Sequence, residues 1–422
     1  MLDLKFIREN FNTVVEGIRK KNVELDLSEF QTLEEKRREL LTQMENLKAE
    51  KNRASERIGQ AKKKGEDATA AIAEMKAVGE HIKAMDDELK SVEEKLYDIQ
   101  IRIPNLPHEN VPVGTSAADN VVVKTWGEIP TFEFEPKAHW DLNEQLQLID
   151  FHGGSRVAGS FFVNFKGKGA KLVRALINWM LDLHVEKHGY TEVFPPIVAN
   201  RKAMFGTGSL PKLADDMYFV ERDDLYLIPT AEVPVTNLLS DQMLAGEDLP
   251  INYTAYTPCF RREAGAYGKD TKGLMRLHQF DKVEMVKFTA AETSYDEHEQ
   301  LLQNAEEVLQ LLGLPYRVLL LCSGDLSFAA AKCYDLEVWA PGLKQWLEVS
   351  SCSNFEDFQA RRANIRYRPE PQAKPRFVHT LNASGLALPR TIIAIMENFQ
   401  TDEGTVVVPE VLRDFMGCSV LK

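Results

Sequence analysis

Two stretches of the chain set apolar residues at alternating steps of three and four. Leu40, Met44, Leu47, Ala54, Ile58 and Ala61, with Lys51 inside the series, form the first. Met75, Val78, Ile82, Met85, Leu89, Val92, Leu96, Ile99 and Ile103 form the second. A mean step of about 3.5 residues is the seam of a coiled coil. Only KKKGEDAT (62–69) separates the two series, so the expected structure is an antiparallel two-helix arm over about 30–103, with its tip at about 62–69. Each helix, at about 32 residues, would run roughly 48 Å. A short helix over about 3–20 precedes the arm, and Pro104 and Pro107 end it.

Beyond Pro104 the pattern changes. Pro, Gly, Asn and Val dominate as far as about Pro130, so 105–130 reads as a linker between an N-terminal domain (1–104) and a second domain (131–422). In the second domain Leu172, Leu176, Met180 and Leu183 share one helical face, and TEVF before Pro195-Pro196 reads as a strand. DLYLIPT, INYTAYTPCF, DKVEMVKF, YRVLLL, CYDLEVWA and QWLEVSS read as further strands. Apart from a helix at about 290–313, few helices separate them, which favours a mostly antiparallel sheet over a doubly wound one. The expected class is α+β. Neither G-x-G-x-x-G nor a Walker A motif occurs, which removes the two commonest nucleotide folds.

Composition narrows the class without changing it. The 422 residues are 44% hydrophobic and 27% charged, ordinary for a globular protein. No apolar run is long enough for a membrane span, and MLDLKFIREN is no signal peptide. The five cysteines (259, 322, 333, 352, 418) form no CxxC, which suits a reducing, cytoplasmic compartment. A net charge of −13 argues against a surface that grips nucleic acid everywhere. The distribution matters more: Lys48, Lys51, Arg53, Arg57, Lys62, Lys63 and Lys64 face only two glutamates near the tip. Such a stretch is either the solvated face of a coiled coil or a projecting arm that touches a phosphate backbone.

Candidate chemistry gathers around CFRREAGAYGKDTKGLMRLHQF (259–280). Arginine's planar fork can hold a carboxylate and a phosphate oxygen together. Arg261 ends a strand, with Glu263 two residues on and therefore on the same face. Taken alone, RRE is an ordinary charged strand end. The glycines that follow (Gly265, Gly268, Gly273) can fold over a ligand, and Arg276 and His278 return toward the same place. PTAEVP offers Thr230 and Glu232 to an ammonium, and LEVSSCSNF offers Glu348 and Ser351 as oxygen ligands for Mg²⁺. NASGLALPRTIIAIMENF gives a glycine-rich entry and then Arg390 at the start of an apolar helix, a cation at the end whose dipole disfavours it. Each of these also has a purely structural explanation, so their combination and order carry the weight.

Together they resemble the class II aminoacyl-tRNA synthetases. FRRE…RLHQF resembles motif 2 (about 253–285), GLALPR motif 3 (about 382–399), and the segment ending TEVFPP motif 1 (about 170–196), the dimer-interface element. PTAEVP, EVSSCSNF, HTLNASGLALPR and the N-terminal hairpin are similar to the seryl-tRNA synthetase family in particular. The likeness covers essentially the whole chain. It implies a reaction in which L-serine's own carboxylate attacks the α-phosphate of ATP, so the enzyme needs no nucleophile. Seryl-adenylate and pyrophosphate form, and serine then passes to the 3′ end of tRNA(Ser) and, where present, tRNA(Sec).

The same resemblance implies roles. Arg261 bridges the serine carboxylate and α-phosphate; Glu263 faces adenine between Phe280 and Arg390; Arg276 contacts phosphate. Thr230, Ala231, Glu232, Glu284, Asn382 and Ser384 form the serine pocket. Arg262, Val349 and Ser350 complete the ATP set, and Glu348 and Ser351 hold Mg²⁺. A homodimer with the arm reaching tRNA across subunits follows from the family. A required hydroxyl lets a buried Glu284 reject glycine and alanine, while threonine is excluded by size. Two alternatives remain at this point: a class II relative that charges a carrier protein, and an inactive paralogue that binds RNA.

Overall fold

A computed structural model of the protein describes residues 1–264 and 272–422. Gly265 and Gly268 of the expected glycine-rich loop therefore lie outside the described residues. The chain divides into two compact units: Leu2–Arg19 with Val23–Pro104, and Met1 and Lys20–Asn22 with Asn105–Lys422.

The first unit is helical. The single helix expected over about 3–20 is two, α1 (Leu4–Glu9) and α2 (Phe11–Lys20), broken at Asn10. Asp3 caps α1 by accepting from the backbone N–H of Lys5 and Phe6 at 2.9 and 3.1 Å. The arm is α3 (Ser28–Lys64) and α4 (Thr69–Gln100), of 37 and 32 residues. Arg37 meets Glu93 at 2.9 Å and Ser55 meets Met75 at 3.2 Å, so partner numbers fall as the others rise and the helices are antiparallel. Gly65 turns the tip with φ 73°, a left-handed cap that costs glycine nothing. The seam is buried at Leu40, Met44, Met85, Leu89, Val92 and Leu96, and only half-buried at Leu47, Ala54, Met75 and Val78.

The second unit is organised by an eight-stranded sheet. Its strands are β1 (Val121–Trp126), β2 (Thr191–Glu192), β3 (Ile251–Phe260), β4 (Gln279–Thr289), β5 (Tyr316–Leu320), β6 (Lys332–Ala340), β7 (Gln345–Asn354) and β8 (His379–Ala387). Their order is β1-β5-β6-β7-β8-β4-β3-β2. Every neighbouring pair is antiparallel except β2–β3, as the α+β expectation required. Helices α5 (Lys168–Glu186), α6 (Glu232–Asn237), α7 (Ser294–Leu312), α8 (Phe358–Ala363) and α9 (Leu388–Asn398) accompany it. Leu172, Leu176 and Met180 of α5, Leu301, Val308 and Leu309 of α7, and Ile392 and Met396 of α9 share one core with Val283, Met285, Leu336 and Val338 of the sheet.

Three expectations are corrected. The 105–130 stretch holds β1, where Val121 and Val122 pair with β5 as a sheet edge and Val123 is passed over in a bulge. DLYLIPT contributes Leu225–Leu227 to a separate three-stranded sheet. The segment read as a glycine-rich helix entry, NASGLA, is itself part of the strand β8, buried from Thr380 to Leu386.

Candidate active site

Alternation along β4 places Phe280, Lys282 and Glu284 on one face, and all three line a cleft of about 1010 Å³. The neighbouring strand answers them: Ser384 of β8 pairs with Glu284, and Asn382 with Val286. The register then jumps from Glu284↔Ser384 to Val283↔Leu386, leaving Gly385 as the extra residue of a bulge. Glycine is needed there because a Cβ would lie 2.4 Å from Nε2 of His184 on α5. A second bulge does the same for β7, where Leu336↔Ser350 gives way to Glu337↔Glu348 and Val349 is extra. In a regular strand, residues three apart face opposite ways. The bulge brings Glu348 and Ser351 to one face, with the Ser351 hydroxyl 3.1 Å from Glu348 Oε1.

One end of the cleft is buried and dense in polar groups. Lys282 pairs with Glu284 and donates to Thr230 Oγ1 at 2.8 Å. The same hydroxyl accepts from the Glu232 backbone N–H at 3.2 Å. Glu232, at the start of α6, accepts from Gln359 Nε2 on α8 at 2.6 Å. Burial first, and the charge of Glu284 second, push the Glu232 carboxyl up to about 7. At this end Asn382 Nδ2 has no hydrogen-bond partner among the described residues, and Glu284 Oε2 meets only the Lys282 ammonium. Unmet buried groups lining a cleft are what a polar ligand would satisfy.

The other end is more open and rich in arginine. The Arg261 guanidinium lies 5.2 Å from the Phe280 ring centroid, and its Nε donates to Pro229 O at 3.3 Å. Backbone bonds tie Arg261 to His278, with N–H to O at 2.9 Å. Glu263 sits at φ 52° and is ion-paired with Arg276. Arg390 is the one residue of α9 that is not buried. Its Nη1 donates to Glu348 O at 2.9 Å and stands 3.6 Å from Glu348 Oε2.

Thirteen of the expected cleft residues do line it: Thr230, Glu232, Arg261, Glu263, Arg276, Phe280, Glu284, Glu348, Val349, Ser351, Asn382, Ser384 and Arg390. Three do not. Ala231 is buried, Arg262 is exposed with its N–H on Asp216 O, and Ser350 donates to Ser384 O at 2.7 Å. His278 serves Arg261's backbone and is not part of the lining. Both acceptor positions of the Thr230 hydroxyl are occupied, by the Glu232 N–H and by Lys282, which leaves its O–H as a donor.

The sequence reading missed Lys282, Gln359 and Asp335, the last of which accepts from Ser351 Oγ at 2.6 Å. Lys282 was within reach, since it lies two residues from both Phe280 and Glu284 on a strand already recognised. Gln359 and Asp335 gave no local signal. In the helical unit all seven arm cations, from Lys48 to Lys64, are exposed on α3.

With this geometry in place, the comparisons are specific. Residues 1–107 match the family model described as the seryl-tRNA synthetase N-terminal domain, and residues 218–399 the class II core domain of the synthetases for G, H, P, S and T. A serine–tRNA ligase of Carboxydothermus hydrogenoformans is 57% identical over 417 residues, covering 99% of this chain and 98% of its own. One from Bacillus pumilus is 55% identical, covering 99% of each. The crystal structure of seryl-tRNA synthetase from Pyrococcus horikoshii complexed with ATP superposes with a TM-score of 0.95 at 40% identity, covering 100% of this chain and 99% of that one. The chain belongs to the seryl-tRNA synthetase family of class II aminoacyl-tRNA synthetases.

Proposed function

We infer that the cleft activates L-serine with ATP and then passes the seryl group to the 3′-hydroxyl of tRNA(Ser) and, where present, tRNA(Sec), releasing AMP. The observation that carries this reading is one cleft with two unlike ends, a buried carboxylate pair beside Lys282 and an open set of arginines. Glu232 takes the serine ammonium, which leaves Thr230 to donate and Glu284 to accept from the hydroxyl. Arg261 holds the serine carboxylate against the α-phosphate, so that two anions meet in line. Charge that develops on the phosphate is met by Arg261, with Arg276 and Arg390 on the outer phosphates. Both outer arginines already pair with carboxylates, Glu263 and Glu348, which ATP would displace or share.

Glu348 and Ser351 offer hard oxygen donors on one face of the cleft, a fit for Mg²⁺, whose other ligands come from phosphates and water. When bound, that ion supplies neutralisation of phosphate charge. The basic tip of α3 suits a phosphate backbone, read by shape more than by base. Phe194, Ile197, Val198 and Phe219 are exposed apolar residues in and beyond motif 1. They suit a homodimer in which the arm of one subunit serves the cleft of its partner. All five cysteines are free and no described helix is long and apolar enough to cross a membrane, which accords with a cytoplasmic enzyme.

ATP–pyrophosphate exchange across a panel of amino acids tests the reading. Exchange with serine, and not with glycine, alanine or threonine, is expected. Exchange with glycine or alanine instead points to the carrier-protein relative, and none at all to an inactive paralogue.

A further inference from the structure

The serine end of the cleft contains one lysine that no part of the reaction above uses. Lys282 is buried, 6% exposed, yet it lines the cleft. Its ammonium has three N–H donors. One goes to Thr230 Oγ1 at 2.8 Å and a second side faces the Glu284 carboxylate. A structural role alone would place a lysine where its partners consume it. Here Glu284 Oε2, in a residue only 2% exposed, has the Lys282 ammonium as its one neighbour, and the third N–H of that ammonium has no acceptor among the described residues. An acceptor and a cationic donor thus stand side by side in a buried pocket, both short of partners. Their complement is a small group that both donates and accepts.

We propose that Lys282 is a specificity-determining residue that donates a hydrogen bond to the substrate's side-chain oxygen while Glu284 accepts that group's proton. This rests on the cleft being the serine site. An alcohol satisfies both halves at once. A methyl or a hydrogen satisfies neither, a thiol meets both weakly, and an amine in its charged form donates but cannot accept. Against an apolar side chain the third N–H of Lys282 and an acceptor position of Glu284 stay unmet in a buried site, which costs their desolvation. Thr230 reinforces the arrangement: its acceptor capacity is spent on Lys282 and on the Glu232 N–H, so the lysine is held in place and the threonine does not compete for the hydroxyl's hydrogen. Serine's carboxylate is the other anion Lys282 could meet, and the two assignments differ in a measurable way. A carboxylate contact is common to every amino acid; a hydroxyl contact is not.

The test is kcat/KM for serine and for alanine in ATP–pyrophosphate exchange by the full-length protein. The wild type is compared with Lys282→Met and with Lys282→Gln, which keeps a neutral donor. The serine-to-alanine ratio should fall roughly 10- to 100-fold in Lys282→Met, and less in Lys282→Gln. Equal losses for both amino acids, with the ratio intact, would overturn the proposal and assign Lys282 to the carboxylate or to folding. Should the variants fail to fold, the wild type still decides. 2,3-Diaminopropionate puts an ammonium where serine has its hydroxyl; Lys282 should exclude it at least as strongly as alanine, whereas Glu284 acting alone would welcome it. Turnover of diaminopropionate near the serine rate therefore refutes the idea. If the wild type shows no preference for serine, the failure lies instead with the reading of the site.

Discussion

The cations of the arm and those of the cleft are arranged in opposite ways. Lys48, Lys51, Arg53, Arg57, Lys62, Lys63 and Lys64 all stand exposed on α3. In the cleft, Arg276 is held by Glu263, Lys282 by Glu284 and Thr230, Arg390 by Glu348, and Arg261 lies over Phe280. A solvated charge on a long side chain acts through a field that salt screens within about 10 Å, which suits attraction to a polyanion whose exact position is not yet fixed. A charge held by neighbours loses that reach and gains a fixed direction, which is what bringing a carboxylate onto a phosphate requires. The two sets should therefore fail differently. Arm changes should alter tRNA-dependent steps in a salt-dependent way, and cleft changes should alter adenylate formation whatever the salt.

The sharpest way to break that division is to remove one side of it. Deleting residues 33–99 should leave serine-dependent exchange at its intact rate and abolish transfer to tRNA; surviving transfer would mean the arm is not the tRNA-binding element. Next in size is Arg261→Ala. It removes the fork that faces both anions, and exchange should fall by about 10²- to 10³-fold with the melting profile unchanged. Near-normal exchange would take Arg261 out of the mechanism.

The contrast also explains what could be read from the sequence. The arm is a one-dimensional pattern, with seam residues such as Met44 and Met85 legible from spacing alone because each helix needs only its neighbour. Its tip is equally local, since a short polar stretch with Gly65 ends α3 and admits little else. The cleft depends on which strands pair, and that information is not local. Glu348 and Ser351 share a face only because Val349 is bulged out opposite β6. Strand β8 was misread as an entry loop because its glycine marks the bulge that clears His184. Likewise β1 was taken for a linker, since three valines among prolines and glycines resemble an edge strand only once β5 is beside them. Family resemblance added Phe280, Glu284, Val349, Asn382 and Ser384 to the cleft residues that residue chemistry alone offered. It did not supply Lys282, nor Gln359 and Asp335, which bond to other side chains.

A smaller effect separates the two kinds of charge more finely. Changing Lys62, Lys63 and Lys64 to alanine removes three exposed cations at the end of α3. If they meet phosphates, the slope of log affinity for tRNA against log salt should shallow by about 2 to 3. Exchange should be untouched at every salt concentration. An unchanged slope would return this stretch to the status of a solvated helix end.

The finest distinction concerns protons. Glu232 is pushed from 4.5 to about 7, first by burial and then by the charge of Glu284. The hydrogen bond from Gln359 and the charge of Lys282 oppose the shift. Because the folded-state value is raised, the neutral carboxyl favours the free, folded enzyme fully below pH 4.5, and that contribution is lost as pH rises through about 7. Serine binding runs the other way. Its ammonium needs the carboxylate, so below about 7 a proton must first leave, and KM for serine should rise about tenfold per pH unit while remaining flat above. The basic stretch from Lys48 to Lys64 holds no histidine, so KM for tRNA should not follow the same curve. Glu232→Gln decides the origin of the effect: its KM for serine should be high but level across the same range. A slope that persists in this variant would place the titrating group elsewhere.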